Sequence, residues 1–236
     1  MTISTQWFLE GSVCEMTPQK HGDDRGFLSE TFTVQSLEEL KIFDTFVQDN
    51  HSYSKEKYTF RGLHFQRPPF NQAKLVRVLK GSILDIFLDL RKNSPTYLQH
   101  HMIEISEKKF NQVYIPSGFA HGFLTLEEDC EIFYKTSNYY SQEHDVSLAY
   151  FDESLNIFLP CSAAEMTLSQ KDKNGIKLDK LDFTAKKTES VNTLFKVKNK
   201  IVGYNTDEPG FALTMRELFP DANNSLMQKT LRGKNI

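Results

Sequence analysis

Cysteine is scarce in this chain. Its 236 residues hold three, Cys14, Cys130 and Cys161, an odd number with no metal-type spacing. Neither a disulfide framework nor a cysteine-based metal site is expected, and the three read as reduced thiols of a cytoplasmic protein. Long apolar runs are also missing: none approaches the roughly 20 residues that a membrane-spanning helix needs. The N-terminus, MTISTQWFLEGSVCEM, lacks a charged start followed by an apolar stretch, so no secretory signal and no membrane partner are expected. Charge of one sign is not in excess. Lys and Arg number 28 against 31 Asp and Glu, a net charge of -3 with no long basic block. Nucleic acid is therefore not an expected partner. There is no internal repeat and no low-complexity tract.

What the chain does have is phenylalanine, 19 residues of it, within a hydrophobic fraction of 39%. A buried core is expected, and the aromatic content favours sheet over helix. Leu84, Ile86, Leu88 and Leu90 alternate with Ile83, Asp85, Phe87 and Asp89. That period of two predicts a strand with one wholly apolar face. Shorter strands are predicted at Met102 to Ile105, Gln112 to Ile115, Gly122 to Leu126 and Cys130 to Thr136. Turn residues separate them at roughly 8–12-residue spacing, the rhythm of a sandwich or barrel. SLEELKIF, from Ser36, predicts a short capped helix.

After about Ala185 the texture changes. AKKTESVNTLFKVKNK is polar and lysine-rich, and reads as a linker or a poorly packed edge. FALTMRELF places Phe211, Met215 and Leu218 on one helical face, and the helical spacing breaks at Pro220. The expected organisation is an all-β domain over residues 1–185 and a short mixed or helical extension over 186–236.

The stretch FRGLHFQRPPFNQAKLVRVLKG, Phe60 to Gly81, poses the chemical question. Its G-x-H-x-Q, and the later P-x-G-x-x-H of IPSGFAHGF, resemble the two halves of a cupin, which implies a jelly-roll β-barrel. A metal-binding cupin carries His-x-His, a Glu seven positions before a Gly, and a later His. Here the first His is His64, the second His position holds Gln66, the Glu position holds Lys74, and the last His is His121. Two of four ligands are gone and one has become a cation, which has no lone pair to offer while protonated. No metal and no cofactor are expected, and acid–base chemistry takes their place.

The motifs DDRGFLSETF, FVQDNHSYS, FRGLHFQ, KLVRVLKGSILDIFLDLR, NSPTY, IPSGFAHGF, IFYKTSNYY and LSQKD occur in that order. Together they resemble the dTDP-4-dehydrorhamnose 3,5-epimerase family over about residues 5 to 180. The resemblance implies an isomerase of deoxysugar and cell-surface polysaccharide biosynthesis. Its substrate would be a nucleoside-diphosphate 4-keto-6-deoxy sugar, and its assembly a homodimer with N-terminal strands crossing between barrels. The ketone of such a sugar acidifies its two neighbouring carbons. Inversion there needs a base, a stabiliser of the enolate oxygen, and an acid opposite the base.

By the resemblance, His64 is the base, Asp172 of LSQKD its carboxylate partner, Lys74 the enolate stabiliser and Tyr134 the acid. Tyr134 shares strand parity with Cys130, Ile132 and Thr136, a largely apolar set that should face inward. Arg25, Glu30, Gln48, Asn50 and Arg61 match substrate-binding positions, the arginines suiting diphosphate oxygens. His121 and Tyr139 are further candidates for the pocket. The chain also departs from the family: Leu28 replaces an aromatic, Leu98 a glycine and His100 a tryptophan. These changes leave open which nucleotide and sugar are bound, and whether C3, C5 or both are inverted. A 3,4-ketoisomerase on the same scaffold, or a sugar-binding cupin without catalysis, are the competing expectations. The first usually has another histidine in place of Gln66, and the second needs no acid opposite a base.

Overall fold

The computed structural model describes residues 3–178 and, further along, the strands Thr193–Val197 and Lys200–Tyr204. The chain divides into two compact units, Met1–Leu178 and Asp179–Ile236. In order, the first unit begins with β1 (Ser4–Phe8), β2 (Val13–Thr17), a ribbon of β3 (His21–Asp23) and β4 (Gly26–Leu28), and α1 (Val34–Glu39). There follow β5 (Gln48–Ser54), β6 (Thr59–Gln66), β7 (Lys74–Lys80), β8 (Ser82–Asp89) and β9 (His100–Ser106). Then come β10 (Gln112–Ile115), β11 (Phe119–Thr125), β12 (Cys130–Thr136), β13 (Asp145–Ser147), β14 (Thr167–Leu168) and α2 (Gln170–Lys173).

Two antiparallel sheets enclose the core. One has the order β1-β2-β10-β7-β12-β5, the other β13-β6-β11-β8-β9, and β14 runs parallel to β6 off that path. This is the expected jelly-roll. Its strands at 112–115 and 130–136 have the bounds the alternation predicts, while β9 and β11 begin earlier. The helix starts two residues before Ser36, because the Thr33 hydroxyl accepts a hydrogen bond from the Ser36 amide at 3.0 Å and caps it there.

Phe87, Ile83, Ile105, Val113, Val76 and Ile132, all fully buried, pack into one cluster. Each such side chain contributes roughly 1.5–3 kcal/mol over exposure. The cluster includes Ile83 and Phe87, from the face of β8 that also carries Asp85 and Asp89. The wholly apolar face is buried as well, with Ile86 and Leu88 fully enclosed. Both aspartates are therefore buried and need partners. Asp89 takes them from Arg91, Ser94 and Thr96. Asp85 takes His121, as described below.

One irregularity positions the site. Opposite β6, the register runs His121 to His64 and then Phe123 to Arg61. Two steps on β11 span three on β6, so β6 carries one extra residue, a bulge that re-aims a side chain. Two glycines permit it. A Cβ on Gly62, whose φ is +142°, would stand 2.5 Å from the Gly122 Cα, and one on Gly122 would stand 2.8 Å from the Arg61 carbonyl oxygen.

In the second unit, β15 (Thr193–Val197) and β16 (Lys200–Tyr204) form an antiparallel hairpin. Of the linker and the poorly packed edge expected over that stretch, the paired strands exclude an unstructured linker at 193–197. Thr193, Leu194, Phe195 and Val197 are strand formers, and pairing with KIVGY outweighs the intervening lysine. The helix expected over 211–219 lies outside the described residues. Among the described residues no helix is long and apolar enough to cross a membrane.

Candidate active site

A cavity of about 460 Å³ opens between the sheets, lined among others by Arg61, His64, Lys74, His121, Tyr134 and Asp172. A second cavity of about 160 Å³ shares His64, Lys74 and Tyr134 with it and adds Gln48, Asn50, Asp145 and Lys171. The two sheets supply facing walls. His64 on β6 and His121 on β11 come from one, Lys74 on β7 and Tyr134 on β12 from the other. The bulge brings Arg61 and His64, three apart, into one cavity, where simple alternation would separate them.

His64 Nε2 lies 2.5 Å from Asp172 Oδ1. Asp172 is buried at 2% exposure, although QKDKNG reads as a solvated turn. Two contacts explain this. Parallel pairing of Thr167 and Leu168 with Thr59 and Phe60 lays the chain along β6. Ser169 then caps α2, its hydroxyl accepting from the Asp172 amide and donating to Asp172 Oδ2 at 2.8 Å. The Ser147 hydroxyl donates to Oδ1 at 3.3 Å. Burial raises the carboxyl's pKa, but the bonds from His64, Ser169 and Ser147 hold it below the ordinary value. An ionised carboxylate only accepts, so a ring hydrogen sits on Nε2, and in the neutral imidazole it is Nδ1 that holds the lone pair.

Burial takes the Lys74 ammonium down from 10.5 to about 8, against the attraction of Asp85 and Asp145. Lys171 pushes it the same way as burial. His121 Nε2 donates to the fully buried Asp85 Oδ1 at 2.7 Å. Burial lowers the His121 pKa, Asp85 opposes this, and Lys74 and His64 add to it. The Tyr134 phenol is raised by burial, with Arg61 acting the other way, so it keeps its proton at neutral pH.

The remaining candidates divide. Arg61 lines the larger cavity, with Nε on the Ser54 hydroxyl at 3.2 Å and an Nη on the Tyr53 carbonyl at 3.1 Å. The Gln48 amide donates to Asn50 Oδ1 at 2.8 Å in the smaller one. Tyr139 is exposed early in the loop after β12 and lines neither cavity. Arg25 and Glu30 are exposed and line neither cavity. Arg25, on the β3–β4 ribbon, pairs with Asp23 at 2.5 Å. Several lining residues escaped the sequence reading, and three of them form one cluster. Lys171 donates to Asp145 Oδ2 at 2.5 Å, and the Tyr140 hydroxyl to the same oxygen at 3.1 Å. The S-x-x-D spacing of Ser169 and Asp172 is a helix-cap signal that would have foretold how α2 begins.

The family model for dTDP-4-dehydrorhamnose 3,5-epimerase matches residues 9–180. The dTDP-4-dehydrorhamnose 3,5-epimerase of Salmonella typhimurium is 45% identical over 170 residues, 71% of this chain and 91% of that one. The crystal structure of the Bacillus anthracis enzyme of that name, with TDP and PPi bound, is 40% identical with a TM-score of 0.72, covering 75% of this chain and 100% of that one. That of a Legionella pneumophila dTDP-6-deoxy-D-glucose-3,5-epimerase in complex with dTDP-4-keto-L-rhamnose is 37% identical with a TM-score of 0.73, covering 77% and 95%. This chain belongs to the dTDP-4-dehydrorhamnose 3,5-epimerase family.

Proposed function

We propose that this protein is a nucleotide-sugar epimerase, an isomerase that inverts C3, C5 or both of a dTDP-linked 4-keto-6-deoxy hexose through an enolate. The observation that carries the reading is the pairing of opposite walls. His64, held at Nε2 by Asp172, faces Tyr134 and Lys74 across one cavity. His64 removes the proton from the carbon beside the ketone. That C–H pair becomes the C=C bond of the enolate, and negative charge collects on O4. Asp172 holds the imidazolium that forms. Lys74 stabilises O4, an interaction strongest when the charge is present. Tyr134 returns a proton from the other wall, so the carbon is inverted. The phenolate and the imidazolium then exchange protons with water.

Arg61, Gln48, Asn50, His121 and Tyr139 hold the substrate in this reading. Arg25 and Glu30 do so from a partner barrel in a homodimer. Support for a dimer comes from β1, an exposed edge strand of its sheet and so a surface a partner strand would cover. The exposed Phe27 and Leu28 on the β3–β4 ribbon add to it. The setting is cytoplasmic deoxysugar synthesis for lipopolysaccharide or other surface polysaccharide. The chemistry lies within residues 1–185, and residues 186–236 form an extension outside it.

The test is incubation of dTDP-4-keto-6-deoxyglucose with the protein in deuterium oxide, followed by proton NMR. Solvent deuterium is expected at C3, C5 or both, with formation of an inverted sugar. His64→Ala is expected to slow this by roughly 10²–10⁴-fold, the usual worth of a general base. Label at neither carbon of any 4-keto nucleotide sugar would rule out epimerisation.

A further inference from the structure

Gln66 stands where a metal-binding cupin has its second histidine, and its amide is fully engaged elsewhere. The residue is buried at 7% exposure. Its Nε2 donates to the Phe70 carbonyl at 2.7 Å and to the Tyr139 carbonyl at 3.0 Å. Its Oε1 accepts from the Ser141 amide at 2.6 Å. Two carbonyls on one side and one N–H on the other fix which end of the amide is which. The backbone is thus gripped on both sides of Tyr140.

Other bonds follow the same path between two loops. The Gln72 amide donates to the Asn138 carbonyl at 2.8 Å, and the Asn138 amide to the Pro69 carbonyl at 3.0 Å. Ala73 and Ser137 exchange a further pair. The loop that ends β6 is therefore laced to the loop that ends β12. Gln66 is the strand residue from which the lacing starts, two positions beyond His64. Its backbone also pairs in register with Asp145, whose carboxylate takes the Tyr140 hydroxyl. One side chain thereby links the base-bearing strand to Tyr139, Tyr140 and Asp145.

We propose that Gln66 is a positioning residue, which fixes the Asn138–Ser141 loop, whose Tyr140 lines the smaller cavity, as a preformed wall for the substrate. The inference rests on the epimerase reading above for the identity of the ligand. Gln66 lines the smaller cavity, but its three hydrogen bonds all go to backbone groups, so it acts through the loop. Its loss lets Tyr139 and Tyr140 wander and makes the substrate order them on binding, a cost that appears in affinity.

Gln66→Met keeps the length of the side chain and removes all three bonds. It is expected to raise KM by roughly 10–100-fold, the worth of one or two buried hydrogen bonds. Saturated turnover is expected to stay within about threefold, since His64, Lys74 and Tyr134 lie on strands the loop does not shape. Gln66→Glu, which keeps the Ser141 acceptor but turns oxygens toward two carbonyls, is expected to show the same split. An unchanged KM in either variant, or a fall in turnover with KM unchanged, would overturn the proposal. A third measurement needs neither variant nor substrate. The Ser141 amide, though in a loop, is expected to exchange with solvent deuterium as slowly as amides of β6. Fast exchange there would refute the tie even if the epimerase reading stood, and slow exchange would support it even if that reading fell.

Discussion

Replacing Lys74 by Met should make this protein more stable and less active. The lysine lines both cavities, and its stabilising partners in the described residues act through space, with no hydrogen bond among them. Holding its proton is costly: burial brings the pKa from 10.5 to about 8. At about 1.36 kcal/mol per decade that gap amounts to about 3 kcal/mol at neutral pH. Contact with water in the cavity screens part of it, which leaves about 1–3 kcal/mol. The sign follows from which state binds more protons. Below pH 8 both folded and unfolded chains carry the proton, and the full cost weighs on the folded state. Between pH 8 and 10.5 the unfolded chain binds more, so wild-type stability from this group rises with pH. Above 10.5 the cost is gone. Lys74→Met removes the ammonium and keeps most of the stem volume. At pH 7 it should raise the melting temperature by about 2–4 °C for each kcal/mol gained in a domain of this size. The gain should shrink across pH 8 to 10.5. Deuterium exchange into substrate should meanwhile fall by roughly 10²–10³-fold, as when an oxyanion donor is lost. Thermal melts at pH 7, 9 and 10.5, beside NMR exchange assays, measure both. A variant less stable than wild type at pH 7, or a gain that does not narrow with pH, would refute the reasoning.

Tyr134→Phe should separate the two proton transfers, with exchange at the substrate carbon persisting while inversion fails; NMR that showed full inversion would remove Tyr134 as the acid. Gly62→Ala forces a Cβ to within 2.5 Å of the Gly122 backbone at a φ of +142°. Strain and overpacking together predict a loss of about 2–5 kcal/mol in urea unfolding, and a loss below 1 would mean the bulge yields freely. Leu98 sits at φ +62°, a left-handed conformation that costs a side chain about 1–2 kcal/mol. Leu98→Gly should stabilise the protein by about 0.5–1 kcal/mol once glycine's greater unfolded freedom is subtracted, and a destabilised variant would show that Leu98 packing outweighs the strain.

Much of the fold was legible because alternation is a local property. Gln112 to Ile115 and Cys130 to Thr136 announce their strands residue by residue, and the parity of Cys130, Ile132 and Thr136 with Tyr134 points that tyrosine inward. The missing metal ligands are equally local, since Gln66 and Lys74 occupy their positions whatever surrounds them. The ordered motifs also named the family, and with it the residues to look for.

Other features depend on contacts between distant segments. No period of two puts Arg61 and His64 in one cavity; a bulge does so, and it exists because Gly62 meets Gly122 sixty residues away. Asp172 lies in a stretch as polar as any surface turn. It is buried because β14 lays that stretch along β6, and because Ser147 and Ser169 satisfy its oxygens. The face of β8 with Asp85 looked the less apolar and still joins the core, since His121 on the neighbouring strand gives that carboxylate a hydrogen bond. Gln66 and Ser141 give no local sign of each other. Sequence alone determined which groups the chain could bring to a site. Which of them meet there was decided by strand pairing, because only the packed sheets set distances between residues far apart in the chain.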